Sequence, residues 1–184
     1  LVELDGGAGS DTADFSALSG YTQYQAGPKT PTGAEIDLKA DTAYLKFVSG
    51  HFSWTNTFKL LNIENVIGTQ FADKIGGDDG DNTLSGLAGN DEINGYGGND
   101  VVDGGEGNDT ITTDSGEESA AWVSIVHGGA GDDDITASGE LYGDEDNDMI
   151  SGAAPGDELY GGAGNDLLIS GGAGAVAHYA IQFA

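Results

Sequence analysis

The sequence predicts an all-β chain wound as a solenoid of short parallel strands. Three observations carry that expectation. A nine-residue unit recurs in phase, each unit holds one aliphatic residue at a fixed place, and glycine supplies 33 of 184 residues against only three prolines. A glycine share this high with an internal period is the mark of stacked repeats, in which no single unit can bury its own core.

The unit reads G-x-x-G-x-D-x-U-x, with U aliphatic. Copies start at Gly68, Gly77, Gly86, Gly95 and Gly104, then again at Gly128, Gly143, Gly152 and Gly161. The sixth place holds Asp73, Asn82, Asp91, Asp100, Asp109, Asp133, Asp148, Asp157 and Asp166. The eighth holds Ile75, Leu84, Ile93, Val102, Ile111, Ile135, Ile150, Leu159 and Leu168. Glycine permits the sharp bend at the start of each unit. The x-U-x triplet makes a short strand whose middle side chain faces one way and whose flanks face the other. Two units complete one coil of eighteen residues, so units n and n+2 stack at parallel-strand spacing and bury a continuous aliphatic column.

Stacking also lines up the sixth-place carboxylates. Like charges about 5 Å apart repel by roughly 1–3 kcal/mol at an effective dielectric of 20–80. A cation between the loops removes that repulsion. Oxygen ligands without Cys or His suit a hard cation, and flexible turns suit Ca²⁺ better than the tighter octahedron of Mg²⁺.

The composition agrees. Net charge is −27, and from Ile75 onward there are 23 acids and no Lys or Arg. Such a surface repels DNA, RNA and anionic membranes and attracts cations. An acidic linker or disordered tail would fit these totals too, but it has no reason to keep two columns in phase. There is no Cys, hence no disulfide or thiolate metal site. No apolar run is long enough for a membrane span. The start, "LVELDGGAGS", lacks the features of a secretory signal and reads like the middle of a repeat, so the sequence is expected to be a piece of a longer chain.

The repeats resemble the RTX (repeats-in-toxin) nonapeptide G-G-x-G-x-D-x-U-x, most closely in "GGEGNDTIT" at 104, "GGAGDDDIT" at 128 and "GGAGNDLLI" at 161. That resemblance implies a right-handed parallel β-roll, a form of β-helix, with Ca²⁺ between loops n and n+2. It implies that carbonyls of the loop's first four residues complete the shell around the sixth-place carboxylates. The expected metal residues are therefore Asp73, Gly77, Asp79, Asn82, Gly86, Ala88, Asp91, Gly95, Gly97, Asp100, Gly104, Glu106, Asp109, Gly128, Ala130, Asp133, Gly143, Glu145, Asp148, Asp157, Gly161, Ala163 and Asp166. It further implies a secreted bacterial protein, exported by type I secretion and folding in extracellular calcium, whose partners are calcium and neighbouring domains of the parent. Three positions depart from the pattern: Asn82 replaces an Asp, Phe71 a Gly, and Trp122 stands where the next slot needs a Gly. The stretch "LLNIENVIGTQFADKIGG" (60–77) is similar to the lead-in of secreted RTX proteins, including repeat modules of alginate epimerases.

Four regions follow. Residues 1–67 are a β segment that packs on or caps the roll, with an isolated repeat at 6–14. Residues 68–112 are a first repeat block, and 113–127 break the phase while continuing the core through Val126. Residues 128–184 are a second block and cap, in which "ASGELY" at 137–142 is a shortened unit without an ion of its own. The break is expected to divide the ions into two groups. In the first segment Ile36, Leu38, Leu45 and Phe47 alternate with polar residues as strands do, and 26–33 reads as a loop. The aromatics Tyr44, Phe47, Phe52, Trp54 and Phe58 read as core or cap. A glycan-stacking surface is the alternative, which makes a carbohydrate-binding accessory module or an adhesin segment the competing functions. No H-E-x-x-H, G-x-S-x-G or Cys nucleophile is present, and His51, His127 and His178 show no ligand spacing, so no enzyme activity is expected of this piece.

Overall fold

The structure, a computed structural model, describes residues 2–17, 30–49, 52–113, 123–170 and 176–178. Among the described residues every regular element is a strand. In chain order these are β1 Val2–Asp5, β2 Thr12–Asp14, β3 Thr30–Asp37, β4 Thr42–Ser49, β5 Phe52–Leu61, β6 Asn65–Ile67, β7 Lys74–Gly76, β8 Thr83–Ala88 and β9 Glu92–Asn94. They continue as β10 Val101–Glu106, β11 Thr110–Thr112, β12 Ser124–Ala130, β13 Asp134–Ala137, β14 Gly139–Glu145, β15 Met149–Gly152, β16 Glu158–Ala163, β17 Leu167–Ser170 and β18 Val176–His178.

Two sheets result. One runs β1-β5-β4-β3-β7-β9-β11-β13-β15-β17, the other β2-β6-β8-β10-β12-β14-β16-β18. From β6 onward the chain alternates between them, and each strand pairs in parallel with the strand two places on. The eighth-place residues are the register. In the first sheet Ile75, Ile93, Ile111, Ile135, Ile150 and Leu168 align. In the second, Val66, Leu84, Val102, Val126, Leu141 and Leu159 align. All but Leu168 are at most 2% exposed, and together they form one core.

Most coils advance eighteen residues. One advances 24, from Asp109 to Asp133, and the next fifteen, from Asp133 to Asp148. The extra residues fall between β11 and β12, the missing ones between β13 and β14. In the short coil Gly139 stacks on Ser124 and Leu141 on Val126, so the core column runs on unbroken.

At the N-terminal end the early repeat copy is already part of the stack. β1 pairs with β5 and β2 with β6, both parallel, and Ala13 lies buried beside Val66. Between them an antiparallel meander, β3–β4–β5, is built into the first sheet, with β3 paired to β7. Its inner face buries Ala34, Ile36, Ala43, Leu45 and Leu60, joined by Leu38 in the turn after β3. Phe58 meets Phe15 edge to face, 6.4 Å between ring centres, which puts one of the expected aromatics against the core. Tyr44 is half-buried, and the side chains of Phe47, Phe52 and Trp54 lie outside the described residues.

One expectation is corrected here. Thr30–Gly33, read as part of a loop, belong to β3, with a bulge between Pro31 and Gly33. β7 pairs only with Glu35–Asp37, so the first half of β3 has β4 as its partner and the missing N–H of Pro31 is tolerated there. The expected loop residues 26–29 lie outside the described residues, as does His51. On the outer face of the second sheet His127, Tyr142 and Tyr160 stack ring on ring at 4.6 and 4.7 Å, and His127 Nδ1 lies 2.8 Å from Asp144.

Candidate metal centre

The loops that join the sheets carry the acidic column, and they divide between two edges. Those starting at 68, 86, 104, 128, 143 and 161 cross from the second sheet to the first along one edge. Those starting at 77, 95 and 152 cross back along the other. The connection from β11 to β12, which gains the extra residues, and the short link from β13 to β14 are both crossings of this second kind. On the first edge the loops at 104 and 128 stack directly, Gly105 on Gly129 and Glu106 on Ala130. On the first edge the row of loops therefore passes the break without a gap.

Along that row the sixth-place residues form a chain of hydrogen bonds. The amides of Asp73, Asp91, Asp109, Asp133 and Asp148 each donate to Oδ1 of the next Asp, at 2.8, 2.8, 2.8, 3.0 and 3.2 Å, ending on Asp166. Outside it runs a second ladder at the fifth place. The amides of Asn108, Asp132, Asn147 and Asn165 donate to the side-chain oxygens of Asn90, Asn108, Asp132 and Asn147. This ladder was not singled out from the sequence, although the recurring "GND" carries its signal.

The second carboxylate oxygens are the informative atoms. Oδ2 of Asp91, Asp109, Asp133 and Asp148 is buried and has no hydrogen-bond partner in the protein. Each faces the first glycine of its own loop. A Cβ placed on Gly86, Gly104, Gly128 or Gly143 would strike that Oδ2 and also the carbonyl oxygen of the first glycine one coil on: Gly104, Gly128, Gly143 and Gly161 in turn. Buried oxygens thus converge with no proton donor among them, and a buried polar group without a partner costs about 1–3 kcal/mol, more when charged. No three acidic or histidine side chains come together among the described residues. Each inter-loop position receives its other oxygens from the backbone, the donor set that a hard, flexible cation such as Ca²⁺ takes.

Electrostatics points the same way. Burial pushes the Asp91 and Asp133 carboxyls up to about 7 and Asp148 to about 6, against a lowering contribution from the amide each accepts; neighbouring carboxylates add to the rise. Burial also raises Asp109 and Asp73. At neutral pH a charged row is unfavourable without a counter-charge.

Backbone geometry separates the loops into two classes. In the loops at 6, 86, 95, 104, 128, 143 and 161 the second and fourth residues both have positive φ: Gly7 and Gly9, Leu87 and Gly89, Tyr96 and Gly98, Gly105 and Gly107, Gly129 and Gly131, Asp144 and Asp146, Gly162 and Gly164. Among the loops at 68, 77 and 152, none of the second or fourth residues does. In these three the sixth-place side chain is satisfied by protein donors. Asp73 accepts from the amides of Thr69 and Ala34 and from the Thr69 hydroxyl. Asn82 accepts from the Asp78 amide, and its Nδ2 donates to the carbonyl of Glu64 at 3.0 Å. Asp157 accepts from Ala154 and Gly139.

The remaining expected residues fall as follows. The first glycines Gly77, Gly86, Gly95, Gly104, Gly128, Gly143 and Gly161 are all buried. The third-place residues Ala88, Glu106, Ala130, Glu145 and Ala163 stack in register along the first edge. On the second edge Gly97 is buried, and Asp79 points outward into an ion pair with Lys39 at 2.6 Å. Asp100 is buried and its Oδ1 accepts the Asn82 amide, while its own amide meets Ser124 Oγ, so the second edge is not a repeat of the first.

The RTX calcium-binding nonapeptide repeat matches the chain in four copies, over residues 76–111, 124–139 and 142–175. This part of the chain belongs to the RTX calcium-binding repeat family. RTX repeats bind Ca²⁺, several ions to a set, and the donor-free oxygen positions along the first edge fit that ion. A search of curated proteins finds no match to the chain. Among the described residues no helix is long and apolar enough to cross a membrane.

Proposed function

We propose that this RTX module is a right-handed β-roll of a secreted bacterial protein, and that it folds when export brings it from low-calcium cytosol into extracellular calcium. Its role is to stiffen the parent protein and hold a neighbouring domain. The observation that supports this reading is the row of buried, unpartnered Oδ2 atoms at Asp91, Asp109, Asp133 and Asp148, each beside a carbonyl of the next loop. On this reading the ions lie between loops 86 and 104, 104 and 128, 128 and 143, and 143 and 161. Bound calcium would supply the positive charge that lets these carboxylates stay ionised in the interior, and the chain would supply the oxygens and their spacing.

Circular dichroism of the chain in EDTA and in rising Ca²⁺ tests the reading. The repeat region should gain β structure cooperatively at about 10⁻⁴–10⁻³ M Ca²⁺, the range of extracellular modules, and much less in equal Mg²⁺. Full β structure in EDTA with no thermal shift on adding Ca²⁺ would overturn it.

A further inference from the structure

We infer that the meander and the strands docked on it, β3 through β8, are a calcium-independent nucleus onto which the calcium-dependent coils are added one after another. The inference rests on the calcium reading above for the later coils. It draws on different residues for the nucleus itself.

The junction between the meander and the repeats uses no metal-like position on either edge. On the first edge the leading loop, Gly68–Asp73, is closed by protein donors: the Asp73 carboxylate takes the Ala34 amide of β3 together with Thr69 N and Oγ1. On the second edge, where an ion between loops would bridge oxygens, Asn82 supplies an N–H instead. Its Nδ2 donates to the Glu64 carbonyl of the lead-in loop while its Oδ1 accepts the Asp78 amide. An amide side chain here does the bridging that a carboxylate could do only with a cation. From Gly68 onward the first buried Oδ2 without a protein partner is that of Asp91, one coil later; the early repeat copy carries another, that of Asp11, which lies outside this nucleus.

The nucleus also has what the later coils lack. β3, β4 and β5 are antiparallel neighbours in sequence order, so their contacts close short loops and form without long-range ordering. Their inner face buries several apolar side chains per strand pair, where the repeats bury one per unit. Charge is far less one-sided: up to Lys74 there are nine acids against all five lysines, and from Ile75 on there are 23 acids and no lysine. Lys39, Lys46, Lys59 and Lys74 all sit in ion pairs, with Asp79, Glu35, Glu3 and Glu92. β3 then offers an edge in register for β7, Ile36 beside Ile75, and β6 does the same for β8, Val66 beside Leu84. The first coil of the roll is thus templated by protein hydrogen bonds alone.

Hydrogen exchange of the full chain, read by mass spectrometry in EDTA and in Ca²⁺, tests this. In EDTA the amides of β3, β4, β5 and β7 should exchange at least about 100-fold more slowly than those of β10 through β17, and calcium should then protect the latter. Equal, fast exchange of both parts in EDTA, with calcium protecting both together, overturns the nucleus and leaves the calcium reading standing. Strong protection of β10 through β17 in EDTA overturns the calcium reading instead. Asn82→Asp adds a test of the junction: it should speed exchange of β6 through β8 in EDTA and have that loss reversed by Ca²⁺. Exchange of β6 through β8 unchanged by the substitution would refute the bridging role of Asn82.

Discussion

Asp109→Asn separates a metal ligand from a structural hydrogen bond within one side chain. Asp109 sits in the middle of the first-edge row. Its Oδ1 accepts the Asp91 amide, and its Oδ2 is buried against the Gly128 carbonyl. Asparagine keeps the shape and one acceptor oxygen, as Asn82 shows by occupying the same place in its own loop. What is lost is the charge, and with it at least the ion between loops 104 and 128. An ion of about 10⁻⁴ M affinity contributes RT ln(1 + [L]/Kd), about 2.3 kcal/mol at about 5 mM Ca²⁺. For a chain of this size that corresponds to a melting temperature lower by about 5–9 °C in calcium. Without calcium the sign changes, because the substitution removes a buried carboxylate whose ionisation burial already opposes. The comparison is Asp103→Asn, at the exposed ninth place of the preceding unit, which should move stability by less than about 0.5 kcal/mol in either condition. Thermal melts of the three proteins in calcium and in EDTA, with the Ca²⁺ midpoint of the dichroism signal, give the result. Equal losses for Asp109→Asn and Asp103→Asn in calcium would mean that bulk charge governs folding and the inter-loop position does not.

Asp157→Asn should cost about 1–3 kcal/mol to the same extent with and without calcium, since both its oxygens accept amides, and a calcium-dependent difference in its melting shift would contradict the two loop classes. In EDTA, β structure should grow as pH falls from about 7.5 to about 5: the raised carboxyls of Asp91, Asp133 and Asp148 make the folded chain bind more protons than the unfolded one in that window, so its stability is present at low pH and lost as pH rises through about 6–7. In calcium the same acidification should weaken the fold, because protons compete with the ion, and dichroism against pH in the two buffers should show opposite slopes. Gly104→Ala should destabilise by more than about 3 kcal/mol, since its Cβ meets the Asp109 side chain and the Gly128 carbonyl, whereas Gly156→Ala, at positive φ but in open space, should cost about 1 kcal/mol in a denaturant titration. Leu87→Gly should stabilise the calcium-loaded chain by about 1 kcal/mol, because Leu87 holds a φ of 77° that suits glycine; a loss of stability in calcium would refute that account of the loop.

The two phased columns were legible because the repeat ties chemistry to position. A residue that must be inward every ninth place, and a carboxylate that must sit two residues before it, leave a trace no propensity scale is needed to see. The core column, the parallel pairing and the choice of cation all follow from that trace. The loop classes were less legible. The first glycine and the fourth were both read as bends, yet the first keeps an ordinary φ and is glycine because Asp and carbonyl oxygens fill the space of a Cβ. Positive φ belongs to the second and fourth places, and Leu87, Tyr96, Asp144 and Asp146 adopt it without glycine. The division by edge was hidden for another reason. Whether 113–127 interrupts an ion row depends on which sheet-to-sheet crossing it belongs to, and that is known only once the strands alternate. The meander was legible as strands, but its place inside the first sheet depends on the β3–β7 pairing, between residues 39 or so apart, for which the local pattern holds no signal.

What decides a loop's class is the stack as much as the residue. Leu87 pairs with Gly105 and Asp144 lies between Gly129 and Gly162, so these two strained residues of the first-edge row sit against glycines in the neighbouring coils with the same backbone turn. A left-handed residue costs a non-glycine about 1–2 kcal/mol, but a loop that departs from its neighbours' turn would lose the amide-to-Oδ1 bond and the shared carbonyl position on both sides. Within the row the cooperative term is the larger, and the odd residue conforms. Gly68–Asp73, Gly77–Asn82 and Gly152–Asp157 escape because each borders something that is not a strict repeat: the β3 amide, the lead-in loop, and the shortened link at Gly139. In these three loops the class is therefore set by the neighbour, whose protein donors satisfy the sixth-place side chain.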